Sequence, residues 1–98
     1  MPEMTFDVQW PDGSTDRCYS PSLVMHDHLE AGATYTVSEF VARSTTALGE
    51  ASERVRAKFG FYCTSAAETT SQITTAAAKF DTQAEVTVVA MQPGLERS

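Results

Sequence analysis

The 98-residue chain is 42% hydrophobic and 20% charged, a composition that fits one folded domain, residues 1–98, with a modest core. Its 7 basic and 13 acidic residues give a net charge of −6, so nucleic acids and anionic membranes are disfavoured as partners. No window holds the roughly 20 apolar residues of a membrane-spanning helix, and the first residues form no apolar signal run. Two cysteines are too few for a secreted disulfide scaffold, so we expect a cytoplasmic protein with reduced thiols.

The N-terminal segment predicts a β-hairpin. Its apolar residues alternate with polar ones, which is the period of a strand with one buried face: Met4, Phe6, Val8 and Trp10. Pro11 to Ser14 then contain proline, aspartate and glycine, and glycine adopts the positive φ angle that a tight turn requires. The second strand of the hairpin is predicted from Ser14 to Tyr19.

Two helix starts follow the hairpin. Ser20 to Ser22 predict a short capped helix that runs to about His28. A serine side chain can accept a hydrogen bond from a free backbone amide of the first turn, and proline fits the first helical position. Thr34 to Val37 is expected to be extended. Thr36 and Glu39 match a capping box, in which each side chain accepts from the other residue's backbone amide. The long helix predicted there has an apolar stripe made of Val37, Phe40, Val41, Leu48, Ala51, Val55 and Phe59.

The stretch FGFYCTSAAE, Phe59 to Glu68, is predicted to join two helices. Gly60 suits the left-handed residue that ends many helices, and Ser65 with Glu68 matches a second capping box. Residues 61–63 would then form a connector whose aromatic rings fill the wedge between the helices. The packing face predicted for the second helix consists of Ala66, Thr70, Ile73, Ala77 and Phe80.

The C-terminal part predicts one more strand. Glu85 to Met91 is rich in valine, Pro93 and Gly94 would end the strand, and residues 93–98 are expected to form a flexible tail. The predicted fold class is α+β, with a small antiparallel-type sheet packed against two main helices in the order β-β-(short α)-α-α-β. We expect the strand that begins at Met4 to lie centrally beside the C-terminal strand, because these two are the most apolar.

Helices on one face of the sheet would leave the other face uncovered. The alternation of Val89 and Met91 with the preceding valines predicts apolar side chains on that face, which favours a homodimer or an enzyme partner. Trp10, Tyr19 and Tyr35 are candidate partner-binding residues, since tryptophan and tyrosine are enriched at interfaces. The alternative for these three aromatics is that they close the edge of the core.

Few residues indicate a catalytic or metal-binding site. Cys63 is a candidate reactive thiol because it precedes a predicted helix start, although a buried, inert cysteine among aromatics is the favoured interpretation. His26 and His28 are candidate metal ligands, but residues two apart on a helix point in different directions, and their spacing with Cys18 and Cys63 matches no zinc finger. The sequence contains no phosphate loop, nucleophile elbow or zinc-helix motif. We therefore assign no catalytic residue, metal or cofactor.

Five collinear segments give the chain a family resemblance: TFDVQWPDG, RCYSPS, YTVSEFVARS, ASERVRAKFGF and AEVTVV. They resemble a family of small nitrogen-starvation response proteins over nearly the whole length. The resemblance implies a bacterial gene cluster that also encodes a nitrilase, a radical SAM enzyme, an acetyltransferase and a flavin-dependent oxidoreductase. It supplies no catalytic residues.

The resemblance and the residues together predict a non-catalytic accessory or binding protein that acts with enzymes encoded in that cluster. The alternative is a small enzyme or metal-binding protein that uses Cys63 or the pair His26 and His28. A transcriptional regulator is disfavoured by the acidic charge and by the lack of a recognisable DNA-reading helix.

Overall fold

Four antiparallel strands form the sheet of this computed structural model, which describes residues 3–60 and 64–92 apart from the side chain of residue 59. The strands are β1, Met4–Gln9; β2, Thr15–Ser20; β3, Thr34–Thr36; and β4, Glu85–Gln92. Their order in the sheet is β2-β1-β4-β3, so β1 lies centrally beside β4 as predicted. The predicted connector, residues 61–63, and the predicted tail, residues 93–98, lie outside the described residues.

Residues 10–14 close the hairpin of β1 and β2. Trp10 donates its backbone N–H to Ser14 over 2.8 Å, and Gly13 donates to Trp10 over 2.8 Å. Gly13 has a φ of 90°, the positive value that the sequence pattern required of it. The Asp12 carboxylate accepts from both the backbone N–H and the hydroxyl of Ser14, which stabilises the turn.

A β-bulge in β4 corrects one prediction. Asp7 pairs with Ala90 and Val8 with Val88, so Val89 is an extra residue between them. The extra residue shifts the alternation of β4 by one position, as bulges do. Met91 is consequently buried at 5% exposure, whereas Val89 is 51% exposed. The prediction that Met91 faces the uncovered side of the sheet was therefore wrong.

The helices begin and end largely where the capping signals indicate. A short 3₁₀ helix, Leu23–Asp27, is capped by Ser22. Helix α1, Val37–Phe59, is capped by Thr36, whose hydroxyl accepts from the Glu39 N–H, and Gly60 ends it at a φ of 82°. Helix α2, Thr64–Ala77, begins one residue before Ser65. Ser65 thus lies inside the first turn, and the prediction that it caps the helix was wrong.

Both helices pack on one side of the sheet, and the α+β class with its predicted element order is confirmed. Strand β3 was predicted only as an extended segment, because three residues are too few to give a strand signal. The buried residues of strands and helices share one hydrophobic core, made of Met4, Phe6, Val8, Trp10, Cys18, Met25, Leu29, Val37, Phe40, Ala47, Leu48, Ala66, Ile73, Ala77, Val86, Val88 and Met91.

Candidate partner-binding surface

One face of the sheet is not covered by either helix in the described part of the chain. Because side chains alternate along a strand, the residues between the buried ones point to this face. We call it the open sheet face, and it comprises Thr5, Asp7, Gln9, Thr15, Arg17, Tyr19, Thr34, Thr36, Glu85, Thr87, Val89, Ala90 and Gln92. Apart from Val89, whose exposure is noted above, and the small side chain of Ala90, the face is built mainly from hydroxyl, amide and charged groups.

The strand register arranges these side chains in rows that cross the sheet. One row runs from Thr15 through Gln9 and Thr87 to Thr34. The hydroxyl oxygens of Thr34 and Thr87 lie 3.1 Å apart, so the row includes a hydrogen bond between neighbouring strands. A polar row of this kind offers donors and acceptors to a partner and does not form the apolar patch that the sequence predicted.

An ion pair occupies the middle of the hairpin on this face. Arg17 Nε donates to Asp7 Oδ1 over 2.9 Å, and the second guanidinium nitrogen reaches Asp7 Oδ2 over 3.3 Å. These hydrogen bonds, with the positive charge of Arg17, lower the pKa of the Asp7 carboxyl. The pair lines an open depression of about 490 Å³ together with Thr15, Asp16 and Val89. The depression therefore combines a neutralised charge pair with one apolar side chain.

A second depression runs along the outer edge of β2. It measures about 440 Å³ and separates that strand from α2, with a lining of Arg17, Tyr19, Ser65, Glu68, Thr69 and Gln72. We call it the β2–α2 groove. The side-chain amide of Gln72 crosses it and donates to the carbonyl oxygen of Arg17 over 3.3 Å. Tyr19 was predicted from the sequence, whereas Arg17, Glu68 and Gln72 were not, because only the fold brings residues 55 positions apart into contact.

The three predicted partner-binding aromatics lie in different environments. Trp10 is buried at 3% exposure, stacks on Phe80 and meets Phe40 edge-on, so its ring is not available at the surface. Tyr19 is half-buried and lies on the open sheet face beside the β2–α2 groove. Tyr35 is the middle residue of β3 and is half-buried, and the guanidinium of Arg43 lies 5.2 Å from its ring centre.

The two histidines flank the end of the 3₁₀ helix. His28 Nε2 lies 3.1 Å from Glu50 Oε1, and Arg43 donates to the His28 carbonyl oxygen over 3.1 Å. Arg43 also forms an ion pair with Glu39 over 2.8 Å. These contacts tie the 3₁₀ segment to α1. Within residues 3–60 and 64–92, no three histidine, cysteine, aspartate or glutamate side chains are grouped closely enough to hold a metal ion.

Of the two cysteines, Cys18 lies among the residues that the structure describes. Cys18 is a free thiol buried at 1% exposure. Burial, followed by the negative charges of Asp16 and Asp7, raises the pKa of the Cys18 thiol from 9.0 to about 12. At neutral pH it is protonated and therefore a poor nucleophile. Cys63, the candidate reactive thiol, lies outside the described residues.

Comparison with known proteins identifies one family. The model of the family described as nitrogen starvation-induced protein NitG matches residues 5–91 of this chain. No curated protein and no solved structure matches this chain. In the described residues, neither helix has the length and apolar character needed to cross a membrane.

Proposed function

Because the chain belongs to the NitG family of nitrogen starvation-induced proteins, we propose that it is a non-catalytic accessory protein of a bacterial response to nitrogen starvation. In this proposal the protein acts in the cytoplasm and binds an enzyme encoded in the same gene cluster. The family supplies the link to nitrogen starvation, and the binding role rests on the structure of the sheet.

The observation that supports a binding role is the layering of the fold. Both helices pack on one side of the four-stranded sheet, and the open sheet face carries cross-strand rows of polar side chains around Val89. Tyr19 lies at the β2 side of this face, where an aromatic ring with a polar tip can contact both apolar and polar partner groups. A protein partner that covers this face would bury Val89 and pair with the hydroxyl row.

Affinity capture from nitrogen-starved cells tests the proposal. The full chain is immobilised, and the retained enzymes of the cluster are identified by mass spectrometry. We expect Val89→Lys to abolish retention, because the lysine puts a charge at the middle of the surface that the partner would cover. Thr46→Lys is the matched control, since Thr46 is exposed on α1 and the charge change is the same. Retention of no cluster enzyme, or equal retention by both variants, would contradict the proposal.

The enzyme alternative is tested on the same preparation. A small enzyme that uses Cys63, or a metal protein that uses His26 and His28, predicts a fast-reacting thiol or a bound ion. Thiol titration of the native protein and elemental analysis measure these directly. A thiol that reacts much faster than free cysteine at neutral pH, or a stoichiometric metal ion, would overturn the non-catalytic role.

A further inference from the structure

The backbone groups along the outer edge of β2 are directed away from the sheet. Trp10 and Ser14 form a hydrogen-bonded pair at the end of the hairpin, and hydrogen-bonded pairs alternate with non-bonded pairs along an antiparallel ladder. Thr15 and Arg17 therefore belong to non-bonded pairs, and their N–H and C=O groups point away from β1. An edge of this kind is a template on which another strand can pair.

Gln72 already forms a hydrogen bond with one of these outward-pointing backbone groups, as an added strand would. Its side-chain amide donates to the Arg17 carbonyl oxygen, the acceptor that the backbone N–H of an added strand would reach. The bond that Gln72 makes is a single hydrogen bond between described residues, and at 3.3 Å it is long for an N–H to oxygen contact. An incoming backbone can replace this bond and add further ladder bonds along β2.

The charged side chains of the β2–α2 groove indicate which charge a bound segment should carry. Arg17 is neutralised by Asp7 on the open sheet face. Glu68 lines the groove and has no ion-pair partner among the described residues. The groove is therefore left with an acidic side chain, in a chain whose net charge is −6. Complementarity favours a segment with lysine or arginine side chains.

We propose that the β2–α2 groove binds an extended, basic segment of the partner protein as a fifth strand along β2, with Gln72 giving up the Arg17 carbonyl oxygen. This inference rests on the proposed binding function and names the way in which the partner is held. The competing occupant is a second copy of this chain paired β2 to β2. Two copies would each bring a net charge of −6 to the contact, which opposes that arrangement.

An NMR titration with a defined peptide tests the inference. The probe is an octapeptide of alternating valine and lysine, and its counterpart carries glutamate in place of lysine. We expect the lysine peptide to shift the backbone amide signals of Thr15 and Arg17 and to slow their hydrogen exchange. The amides of β3, at the opposite edge of the sheet, should not change.

Two variants make the test specific. Gln72→Ala frees the Arg17 carbonyl oxygen, so the lysine peptide should bind roughly threefold to tenfold more tightly, the gain of about one hydrogen bond. A residue that only stabilised the fold would not produce a tighter complex. Glu68→Lys should reverse the preference in favour of the glutamate peptide. Gln83→Ala, an exposed position away from the groove, is the control and should leave both affinities unchanged.

The outcomes separate this inference from the proposed function. If cluster enzymes are retained as expected but neither peptide perturbs β2, or Gln72→Ala weakens binding, the strand-addition inference is wrong and the binding function stands. If the peptide binds as described but no cluster enzyme is retained, the proposed function is wrong and the groove remains a peptide site. A concentration-dependent dimer in sedimentation, with the β2 amides protected, would overturn the inference in favour of a second copy.

Discussion

The indole N–H of Trp10 donates a hydrogen bond to the Asp16 carboxylate over 2.9 Å, from one side of the hairpin to the other. The ring itself lies against Phe40 and Phe80, with ring centres 5.6 and 5.8 Å away. One tryptophan thus joins the hairpin, α1 and the segment that leads into β4. Because of these contacts, the ring of Trp10 is buried and does not serve as a surface anchor for a partner.

Loss of the carboxylate at position 16 should destabilise the protein. Asp16→Ala leaves the indole N–H without its acceptor, and we expect the free energy of unfolding to fall by about 1–3 kcal/mol. In a Trp10→Phe background the same change should cost much less, because the donor is already gone. Urea unfolding followed by circular dichroism measures both differences. Asp27→Ala, at an exposed position, is the control, and equal costs in the two backgrounds would contradict a direct bond.

Two glycines should respond to alanine with opposite signs. Gly60 has a φ of 82°, and a Cβ there would meet no atom within 4 Å, so the cost of alanine is conformational only. We expect Gly60→Ala to lower the free energy of unfolding by about 1 kcal/mol. Gly49 lies within α1 with equally open surroundings and no positive φ, so Gly49→Ala should stabilise by up to about 1 kcal/mol.

Thermal and urea unfolding of the two alanine variants provide the measurement. Because each variant adds the same methyl group to an exposed site, the comparison cancels the effect of the side chain itself. A Gly60→Ala variant as stable as the parent would mean that the end of α1 is not set by the left-handed residue, and destabilisation by Gly49→Ala would contradict the helical propensity argument at that position.

Local signals were sufficient for much of the fold. The turn at Gly13, the cap at Thr36 and the end of α1 at Gly60 each depend on neighbouring residues, and the structure confirms all three. The central position of β1 followed from its apolar alternation, which requires burial beside another apolar strand. Such features are predictable because their physical causes lie within a few residues of one another.

The candidate surface depends on contacts that local patterns do not encode. The bulge at Val89 lies where β4 pairs with β1, and no residue type in β4 predicts it. The bond from Gln72 to Arg17 joins residues 55 positions apart, and the ion pair of Arg17 with Asp7 requires the hairpin register to be known. Tyr19 was predicted because its residue type is common at interfaces, whereas its neighbours in the groove are ordinary surface residues.

Stability should fall at alkaline pH because of Cys18. The unfolded thiol ionises near pH 9, whereas burial keeps the folded thiol protonated up to its raised pKa of about 12. The unfolded state therefore loses its proton first, so the contribution of Cys18 is complete below pH 9 and is lost as the pH rises towards 12. The loss can reach about 4 kcal/mol over that range.

The free energy of unfolding between pH 8 and 10.5 tests this expectation, in a Cys63→Ser background that removes the other thiol. Cys18→Ala is the control: it should be less stable than its parent at pH 8, with a gap that narrows as the pH increases. A constant gap would show that the Cys18 thiol ionises in the folded protein as it does in the unfolded chain.

The pKa of Asp7 should rise when its partner is removed. Hydrogen bonds and charge from Arg17 hold the pKa of the Asp7 carboxyl below 3.8, so the stabilising contribution is present above the unfolded pKa and is lost as the pH falls through the folded value. Arg17→Met should return the pKa of Asp7 towards 3.8. Carboxyl NMR titration measures it, and the pKa of Asp12, which Ser14 lowers, is the internal control that should not move.

The bulge in β4 predicts opposite tolerance at two neighbouring positions. Met91 lies in the core and Val89 is half-exposed on the open sheet face, so Met91→Lys should lower the free energy of unfolding by more than about 3 kcal/mol. Val89→Lys should change it by less than about 0.5 kcal/mol, as surface substitutions usually do. Urea unfolding of the two variants distinguishes the bulged register from simple alternation. If β4 alternated without the bulge, Met91 would lie on the open sheet face with Val89, and lysine would be tolerated equally at both positions.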